Sequence, residues 1–318
     1  MKFSCDKYVL QQAAASAARA AAPKSPIAAL EGLLLEAGAD LRITGYDLKK
    51  AIYTNMEADI PEPGSVLVGA RLFCEMLRRM PDGIVTVEAE NGTVTVRCGR
   101  SAFNLVGMSA EDYPDLPSVE AENGVSLPQD LLKKMINECS FAVSTNESRP
   151  VYMGTLFEIA HNELTMVSVD GYRLALRREP VEGYGDDCSF IVPGTALSDL
   201  ERLCGDSDER VVLSVGSKHI SFTVGSTVIL SRRLEGDFLN YKKAIPESFR
   251  ITVKTARTDL LDVVERVSLI VDSKNNAPLR LTFRKDAIDF VSARGLVNGM
   301  SATIYAPNNS TTRAQLWT

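Results

Sequence analysis

The chain repeats one pattern of hydrophobic and polar positions three times. In each of three stretches, apolar residues occupy every second position and short polar turns interrupt the alternation. A period of two is typical of strands that bury one face, so each stretch predicts three consecutive antiparallel strands. The stretches are 30–56, 154–176 and 278–304.

A helical pattern precedes each of these stretches. Apolar residues recur three and four positions apart over 7–22, 129–143 and 258–271, which predicts one amphipathic helix in each segment. In the middle helix we expect the shared apolar face to pack on the sheet and a lysine to point away from it. The residues of that face are Leu131, Met135 and Ile136, and the lysine is Lys133 or Lys134.

A second half-unit follows in the first two repeats. Residues 65–80 and 189–204 each predict a strand that runs into a helix, and three more alternating strands come after each of them. Asn91-Gly92 and Gly216-Ser217 are suited to hairpin turns. We therefore predict domains at 1–118 and 125–246, a partial domain at 249–306 that lacks this half-unit, and a disordered polar tail at 307–318.

Composition and charge limit the classes of function. Among 318 residues, 45% are hydrophobic and 24% are charged, which is an ordinary globular balance and argues against disorder of the whole chain. The 35 basic and 41 acidic residues give a net charge of −6. This charge excludes a generally basic surface for nucleic acid, although it permits a local basic stripe.

The cysteines and the N-terminus indicate a cytoplasmic protein. Six cysteines are scattered without a CxxC motif and only two histidines are present, so we expect reduced thiols and no metal site. The N-terminus lacks the apolar run of a signal peptide, and the alanine-rich stretch at 13–22 is too short and too polar to cross a membrane. We expect no association with a membrane.

Catalytic motifs are absent from the sequence. It contains neither a Walker A loop nor a GxGxxG motif. Carboxylate pairs occur at 112 with 115 and at 186 with 187, in turn-like segments where such groups are usually solvated. His161 and His219 have no nucleophile nearby in sequence. We therefore expect no enzymatic activity and no cofactor.

Five short motifs, in this order and spacing, resemble the bacterial DNA polymerase III β subunit family, the β sliding clamps. They are MKF at 1–3, GRSAF at 99–103, GTLFE at 154–158, VDGYRLA at 169–175 and GDFLNY at 236–241. The resemblance implies an α+β fold of repeated clamp domains, each complete one with two helices inside and β-sheets outside, and here with an incomplete third repeat. It also implies a processivity factor in which two subunits form a ring around duplex DNA.

The resemblance implies a set of DNA-binding residues on the helices and loops that line such a ring. Basic side chains in those places attract phosphates without reading bases. The alternative is that they are ordinary solvated helix faces, and Gly194-Thr195 stands where family members tend to be basic. The candidates are Lys24, Arg71, Arg78, Arg79, Lys133, Arg149 and Arg202.

A cleft for short peptides is the second implied site. In the family it receives linear motifs from the DNA polymerase III catalytic subunit, the clamp loader and other partners that carry a clamp-binding motif. The glycine permits a tight corner and the aromatic and aliphatic side chains offer apolar surface, although a buried corner between domains would also explain them. The matching residues are Tyr152, Val169, Gly171, Tyr172, Arg173, Leu174, Leu239, Lys243 and Ala244.

The subunit joint of the family is the third implied site. It places Phe103 and Leu105, on an edge-like strand of the first domain, against Leu269 and Ile270 of a second copy. Exposed apolar residues on an edge strand need covering, which makes a homodimer physically reasonable if the third domain is competent. Phe103 and Leu105 share a strand face, so a place in the core is an equal alternative.

The short third repeat leaves a competing function open. The alternative to a sliding clamp is a truncated clamp-like module that docks peptides without encircling DNA. We favour truncation over a natural short form or a missing half supplied by another subunit, and we expect a loose third domain with impaired ring closure and weakened peptide binding. The apolar faces that we expect to lack partners belong to Leu281, Phe283, Ile288 and Phe290.

Overall fold

The computed structural model describes residues 1–119, 123–269, 279–284, 287–292 and 302–305. The chain divides into a first unit, Met1–Leu239, and a second unit, Asn240–Thr318. Both combine helices with antiparallel sheets, so the predicted α+β fold is confirmed. The predicted tail at 307–318 lies outside the described residues.

The first unit contains the same order of elements twice. The first repeat, residues 1–119, consists of β1 (Lys2–Asp6), α1 (Lys7–Ala17), β2 (Gly32–Ala37), β3 (Leu41–Tyr46), β4 (Lys50–Met56), β5 (Asp59–Glu62), β6 (Gly64–Gly69), α2 (Ala70–Arg79), β7 (Ile84–Glu90), β8 (Thr93–Cys98) and β9 (Ser101–Met108). The second repeat, residues 123–239, consists of β10 (Asn123–Pro128), α3 (Gln129–Ser140), β11 (Gly154–Ala160), β12 (Glu163–Val169), β13 (Leu174–Pro180), β14 (Glu182–Tyr184), β15 (Cys188–Pro193), α4 (Gly194–Leu203), β16 (Arg210–Val215), β17 (His219–Val224) and β18 (Thr227–Arg232).

One sheet runs through both repeats. Its strand order is β14-β10-β16-β17-β18-β4-β3-β2-β6-β9-β8-β7-β1-β5, and a second sheet has the order β13-β12-β11-β15. The joint between the repeats is the antiparallel pair β18 and β4, in which Thr227 lies opposite Thr54. Their hydroxyl oxygens are 2.9 Å apart and share a hydrogen bond. Backbone pairing therefore fixes one repeat against the other.

Helix α1 begins and ends at identifiable local interactions. The side chain of Asp6 caps its first turn by accepting hydrogen bonds from the N–H groups of Tyr8 and Val9. The helix ends at Ala17, five residues before the predicted end, because the chain then turns and the N–H of Ala22 donates to the carbonyl of Leu30. Gly45 permits this end to touch the sheet, since a Cβ there would collide with the Ala17 carbonyl.

Helices α1 and α4 lie on the same face of the shared sheet. Residues at alternate positions of β4 share a face, and Ile52 belongs to the hydrophobic core formed with α3 and α4. Gly45 lies directly opposite Ile52 in the sheet, and its missing side chain would point at α1. Helices α1 and α4 are thus on one side of this joint.

The core of the second repeat corrects one prediction about α3. Leu132, Met135 and Ile136 are buried, whereas Leu131 is half-buried at the margin of the core. Two of the three expected residues, Met135 and Ile136, thus belong to the buried face, and Leu132 takes the place predicted for Leu131. Lys134 is exposed, in agreement with the expectation that a lysine points away from the sheet.

The second unit has one helix packed on a small sheet. Its elements are α5 (Tyr241–Ala244), α6 (Arg257–Ser268), β19 (Leu279–Phe283), β20 (Ala287–Ser292) and β21 (Ala302–Tyr305), with the sheet order β19-β20-β21. Val263 and Val267 of α6 are buried together with Ile288 and Phe290. The expectation that Ile288 and Phe290 lack partners is therefore wrong, because α6 covers them. Leu281 and Phe283 are half-buried beside the same cluster.

Candidate functional sites

Asp170 shapes the corner between β12 and β13, where most of the candidate peptide-binding residues lie. Its carboxylate accepts hydrogen bonds from the N–H groups of Tyr172 and Arg173, at 2.9 and 3.1 Å, and its own N–H donates to the Arg173 carbonyl. Gly171 has a φ of +96°, a conformation that glycine adopts without steric cost. The sequence DGYR therefore encodes a tight turn that presents the side chain of residue 172.

An ion pair closes this corner. The guanidinium Nε of Arg173 lies 2.9 Å from a carboxylate oxygen of Asp170. Partial desolvation opposes ionisation of Asp170, but the two backbone N–H groups and the guanidinium outweigh it, so the pKa of Asp170 is lowered. The carboxylate is consequently charged at neutral pH, and Arg173 is held against the protein.

The side chains at the corner are apolar and differ in exposure. Tyr172 is fully exposed, Leu174 is half-buried and Val169 is buried, so Val169 supports the corner from the core. The sequence reasoning missed Phe141, which is 55% exposed and lies 5.3 Å beneath the Arg173 guanidinium. The sequence feature that could have revealed Phe141 is its position directly after the last residue of α3, where a helix needs no apolar side chain.

A second aromatic pair lies where the chain leaves the second repeat. The rings of Tyr152 and Phe238 meet edge to face with their centres 5.6 Å apart. Gly236 allows the approach, because a Cβ there would lie 2.6 Å from Val151. The structure thus supplies a contact for Tyr152, and Leu239 comes next to Phe238 with 40% of its surface exposed.

The remaining two candidates for the peptide site belong to the second unit. Lys243 and Ala244 are exposed at the end of α5. The side chain of Asn240 caps this short helix by accepting a hydrogen bond from the N–H of Lys243. The structure therefore brings Val169, Gly171, Tyr172, Arg173 and Leu174 together at one corner of the first unit. Lys243 and Ala244 belong to the second unit.

Six of the seven candidate DNA-binding residues are exposed basic side chains. No ion pair involves any of the six within the part of the chain that the structure describes. The six are Lys24, Arg71, Arg78, Arg79, Arg149 and Arg202. The seventh, Lys133, is paired with Asp206 at 2.7 Å. These six charges are thus free to meet a negative ligand.

The outer part of β9 carries the candidates for a subunit joint. Residues 101–106 pair with β8 on one side, whereas β6 pairs only with residues 107 and 108, so their other side is open within the described residues. Phe103 is 42% exposed, whereas Leu105 is buried in the core. In the second unit Leu269 is exposed, and Ile270 lies outside the described residues.

Three further features concern metal ligands, cysteine thiols and membrane-spanning helices. Among the described residues, no three or more His, Cys, Asp or Glu side chains are grouped as metal ligands. Burial raises the pKa of the thiols of Cys5 and Cys139 to about 12, and such thiols are poor nucleophiles at neutral pH. No helix in the described segments is both long and apolar enough to cross a membrane.

Comparison with known proteins decides the family. The families described as DNA polymerase III beta subunit, N-terminal domain and central domain match residues 1–117 and 126–240. The beta sliding clamp of Bacillus subtilis is 30% identical over 294 residues, which cover 89% of this chain and 78% of the relative. The chain belongs to the β sliding clamp family.

Solved structures of family members have the same fold. The DNA polymerase sliding clamp of Bacillus subtilis superimposes with a TM-score of 0.91 at 26% identity, covering 98% of this chain and 86% of that one. The DNA polymerase III subunit beta of Pseudomonas aeruginosa gives a TM-score of 0.90 at 24% identity, covering 98% and 85%. The resemblance that the sequence motifs indicated is therefore confirmed.

Proposed function

We propose that this protein is a sliding clamp, a processivity factor that encircles duplex DNA and tethers the replicative polymerase. The observation that carries the proposal is the arrangement of helices on a sheet that occurs in both repeats of this β sliding clamp family member. Its helices carry exposed basic side chains that form no ion pair within the described residues. Such charges hold phosphates without reading sequence, as sliding requires. The proposed role involves no catalysis and no cofactor, and replication places the protein in the cytoplasm.

Retention on circular DNA tests encirclement directly. We expect the protein, after loading by a clamp loader, to stay on closed circular DNA and to leave when the circle is cut, because a ring slides off a free end. Filtration of labelled protein before and after linearisation measures this. Equal retention on both forms contradicts encirclement and favours the other candidate, a module that docks peptides without surrounding DNA.

Charge reversal tests the candidate DNA-binding residues. We expect the combined change Lys24→Glu, Arg71→Glu and Arg78→Glu to lower the affinity for duplex DNA and to flatten its dependence on salt, because fewer counterions are released. A fluorescence anisotropy titration at several salt concentrations measures both quantities. An unchanged slope rejects the assignment of these residues.

We propose the corner at 169–174 as the docking site for partner peptides. Tyr172, Leu174 and Phe141 offer apolar surface, and Arg173 fixes the corner that presents them. A rigid corner with exposed apolar anchors suits recognition of a short linear motif. Chemical shifts recorded with a peptide from the polymerase should change at these residues. Shifts confined to another surface contradict the assignment, and Leu239, Lys243 and Ala244 are the further positions to monitor.

We also propose the open edge of β9 as a subunit joint between two copies of the chain. An exposed edge strand offers unpaired backbone groups, and Phe103 adds apolar surface to it. In this proposal Leu269 and Ile270 are the opposing residues, and the domains are those predicted, at 1–118, 125–246 and 249–306. Sedimentation tests it, since Phe103→Asp should convert a dimer to monomers. A monomeric parent protein contradicts the joint.

A further inference from the structure

The helices of the two repeats carry different charge. Helices α1 and α2 have four basic side chains and one acidic one, a net charge of +3, whereas α3 and α4 have three basic and four acidic ones, a net charge of −1. The residues in α1 and α2 are Lys7, Arg71, Glu75, Arg78 and Arg79. Those in α3 and α4 are Asp130, Lys133, Lys134, Glu138, Asp199, Glu201 and Arg202.

Burial within an ion pair removes one charge from each set and preserves the difference. Lys7 of α1 is almost buried and lies 3.4 Å from Asp82, so it is held within the protein. Asp199 of α4 is buried against Lys50 of β4. Without these two residues the first helix pair has a net charge of +2 and the second has none. The electrostatic attraction for phosphates is therefore uneven along the sheet.

The positive charge of the first repeat is available to a ligand. Arg71, Arg78 and Arg79 lie on one helix, are exposed and form no ion pair within the described residues. Arg78 and Arg79 lie in the last turn of α2. A phosphate can therefore meet them without first displacing a carboxylate.

Lys133 in the second repeat is in the opposite situation. Its Nζ lies 2.7 Å from Asp206, which is 88% exposed and belongs to the loop after α4. The hydrogen bond that Lys133 donates to Asp206 is the main reason that the pKa of Lys133 is raised. Asp208 and Glu209 of the same loop are also exposed. A phosphate that approached Lys133 would have to replace Asp206 and come close to further negative charge.

We propose that duplex DNA is held mainly by α2 of the first repeat, and that Asp206 occupies Lys133 and weakens the second repeat's contact with phosphates. The inference rests on the proposed sliding-clamp function and adds an unequal division of DNA contact within one chain. In this arrangement the Asp206 carboxylate competes with phosphate for Lys133. The uneven grip keeps total DNA affinity low, as a sliding protein needs.

Single charge-neutralising variants in the full chain test this division. Arg78→Gln should weaken binding to a blunt duplex about threefold or more in low salt and reduce the salt slope by roughly 0.9, the value for one lost phosphate contact. Lys133→Gln should weaken it less than about twofold, because its phosphate contact is already blocked. Asp206→Asn should strengthen binding and steepen the slope by up to roughly 0.9, since it frees Lys133.

Arg42→Gln is the matched control for charge loss. Arg42 lies opposite Asn55 in the sheet, so its side chain is on the face opposite that of Ile52 and the helices, and the substitution should leave DNA affinity unchanged. Equal losses for Arg78→Gln and Lys133→Gln, or no gain for Asp206→Asn, overturn the inference while the clamp function stands. A parent protein that shows no salt-dependent binding to duplex contradicts the proposed function itself.

Discussion

The same backbone turn forms two corners of the first unit, and the surroundings of these two corners differ. After β3, the Asp47 carboxylate accepts hydrogen bonds from the N–H groups of Lys49 and Lys50, at 2.8 and 2.7 Å. After β12, the Asp170 carboxylate binds the N–H groups two and three residues later in the same way. The position after each aspartate has a positive φ. An aspartate at the start thus builds one turn in both repeats.

The two corners differ in the partner of the last side chain of the turn. Lys50 forms a buried ion pair with Asp199 of the other repeat, and β4 pairs with β18. Arg173, at the equivalent position, folds back on Asp170, and β13 pairs only with β12 among the described strands. The first corner is part of the joint between the repeats, whereas the second corner is exposed on the surface. The turn is therefore the same in both repeats, and the two corners differ in the partner of its last side chain.

The largest expected effect comes from breaking the first corner's ion pair. Lys50→Ala leaves the Asp199 carboxylate buried without a partner, which we expect to lower the free energy of unfolding by about 3–5 kcal/mol. Arg173→Ala removes an exposed pair and should cost about 1 kcal/mol or less. Urea denaturation monitored by circular dichroism measures both variants.

A double variant separates pairing from packing at the same joint. Replacing both partners, Lys50→Met with Asp199→Leu, should recover most of the stability lost in Lys50→Ala, because apolar groups of similar size often replace a buried pair without loss. If Lys50→Ala and Arg173→Ala cost the same, the contrast between a buried and a displayed corner is wrong.

The next effect concerns binding at the second corner. Tyr172→Ala should weaken binding of a polymerase-derived peptide by about 1–3 kcal/mol, because exposed aromatic anchors dominate such interfaces. Lys49→Ala, the change at the equivalent position of the first corner, serves as its control and should leave the affinity unchanged. Isothermal titration calorimetry measures the affinities, and equal effects of both variants would remove the docking role from Tyr172.

Substitutions at the position after each aspartate should have smaller effects on stability, and the effects at the two corners should have opposite signs. Gly171 has a φ of +96° and open space around it, so Gly171→Ala should cost about 1 kcal/mol through backbone strain alone. Leu48 adopts a φ of +69° although it is not glycine, and it is about half exposed. Leu48→Gly should therefore gain up to about 1 kcal/mol of stability. Thermal unfolding would contradict this contrast if both substitutions shifted the midpoint in the same direction.

The repeat and the family were predictable because periodicity and turn residues are local signals. The sequence DGYR was enough to place a tight turn at 170–173, and the strand–helix order of both repeats follows from alternation and helical spacing. The boundaries were less predictable, since α1 ends where it meets Gly45 of β3, which is distant in sequence.

Pairing between distant residues was beyond the sequence. Nothing near Lys133 indicates that it meets Asp206, which lies 73 positions later and approaches only because α3 and α4 pack side by side. The same is true of Lys50 and Asp199, which are 149 positions apart. Whether a charged residue is free or paired depends on tertiary packing, so the sequence could nominate basic residues but could not rank them.

The smallest expected effect is a shift in the ionisation of Asp170. Its pKa is lowered despite partial desolvation, because two N–H groups and Arg173 favour the charged form. A carboxyl with a lowered pKa in the folded state stabilises that state above its unfolded pKa, which is about 3.9, and loses this contribution as the pH falls through the folded pKa. The second corner should therefore keep its geometry down to pH values at which an ordinary aspartate is already protonated.

Removing the guanidinium isolates its share of that shift. Arg173→Ala should raise the pKa of Asp170 towards the ordinary value without restoring it fully, since the N–H groups of residues 172 and 173 still donate to the carboxylate. Carboxyl carbon chemical shifts recorded by NMR during an acid titration measure the pKa in both proteins. If the variant and the parent titrate together, the ion pair does not contribute to the lowered pKa of Asp170, and the backbone N–H groups alone stabilise its carboxylate.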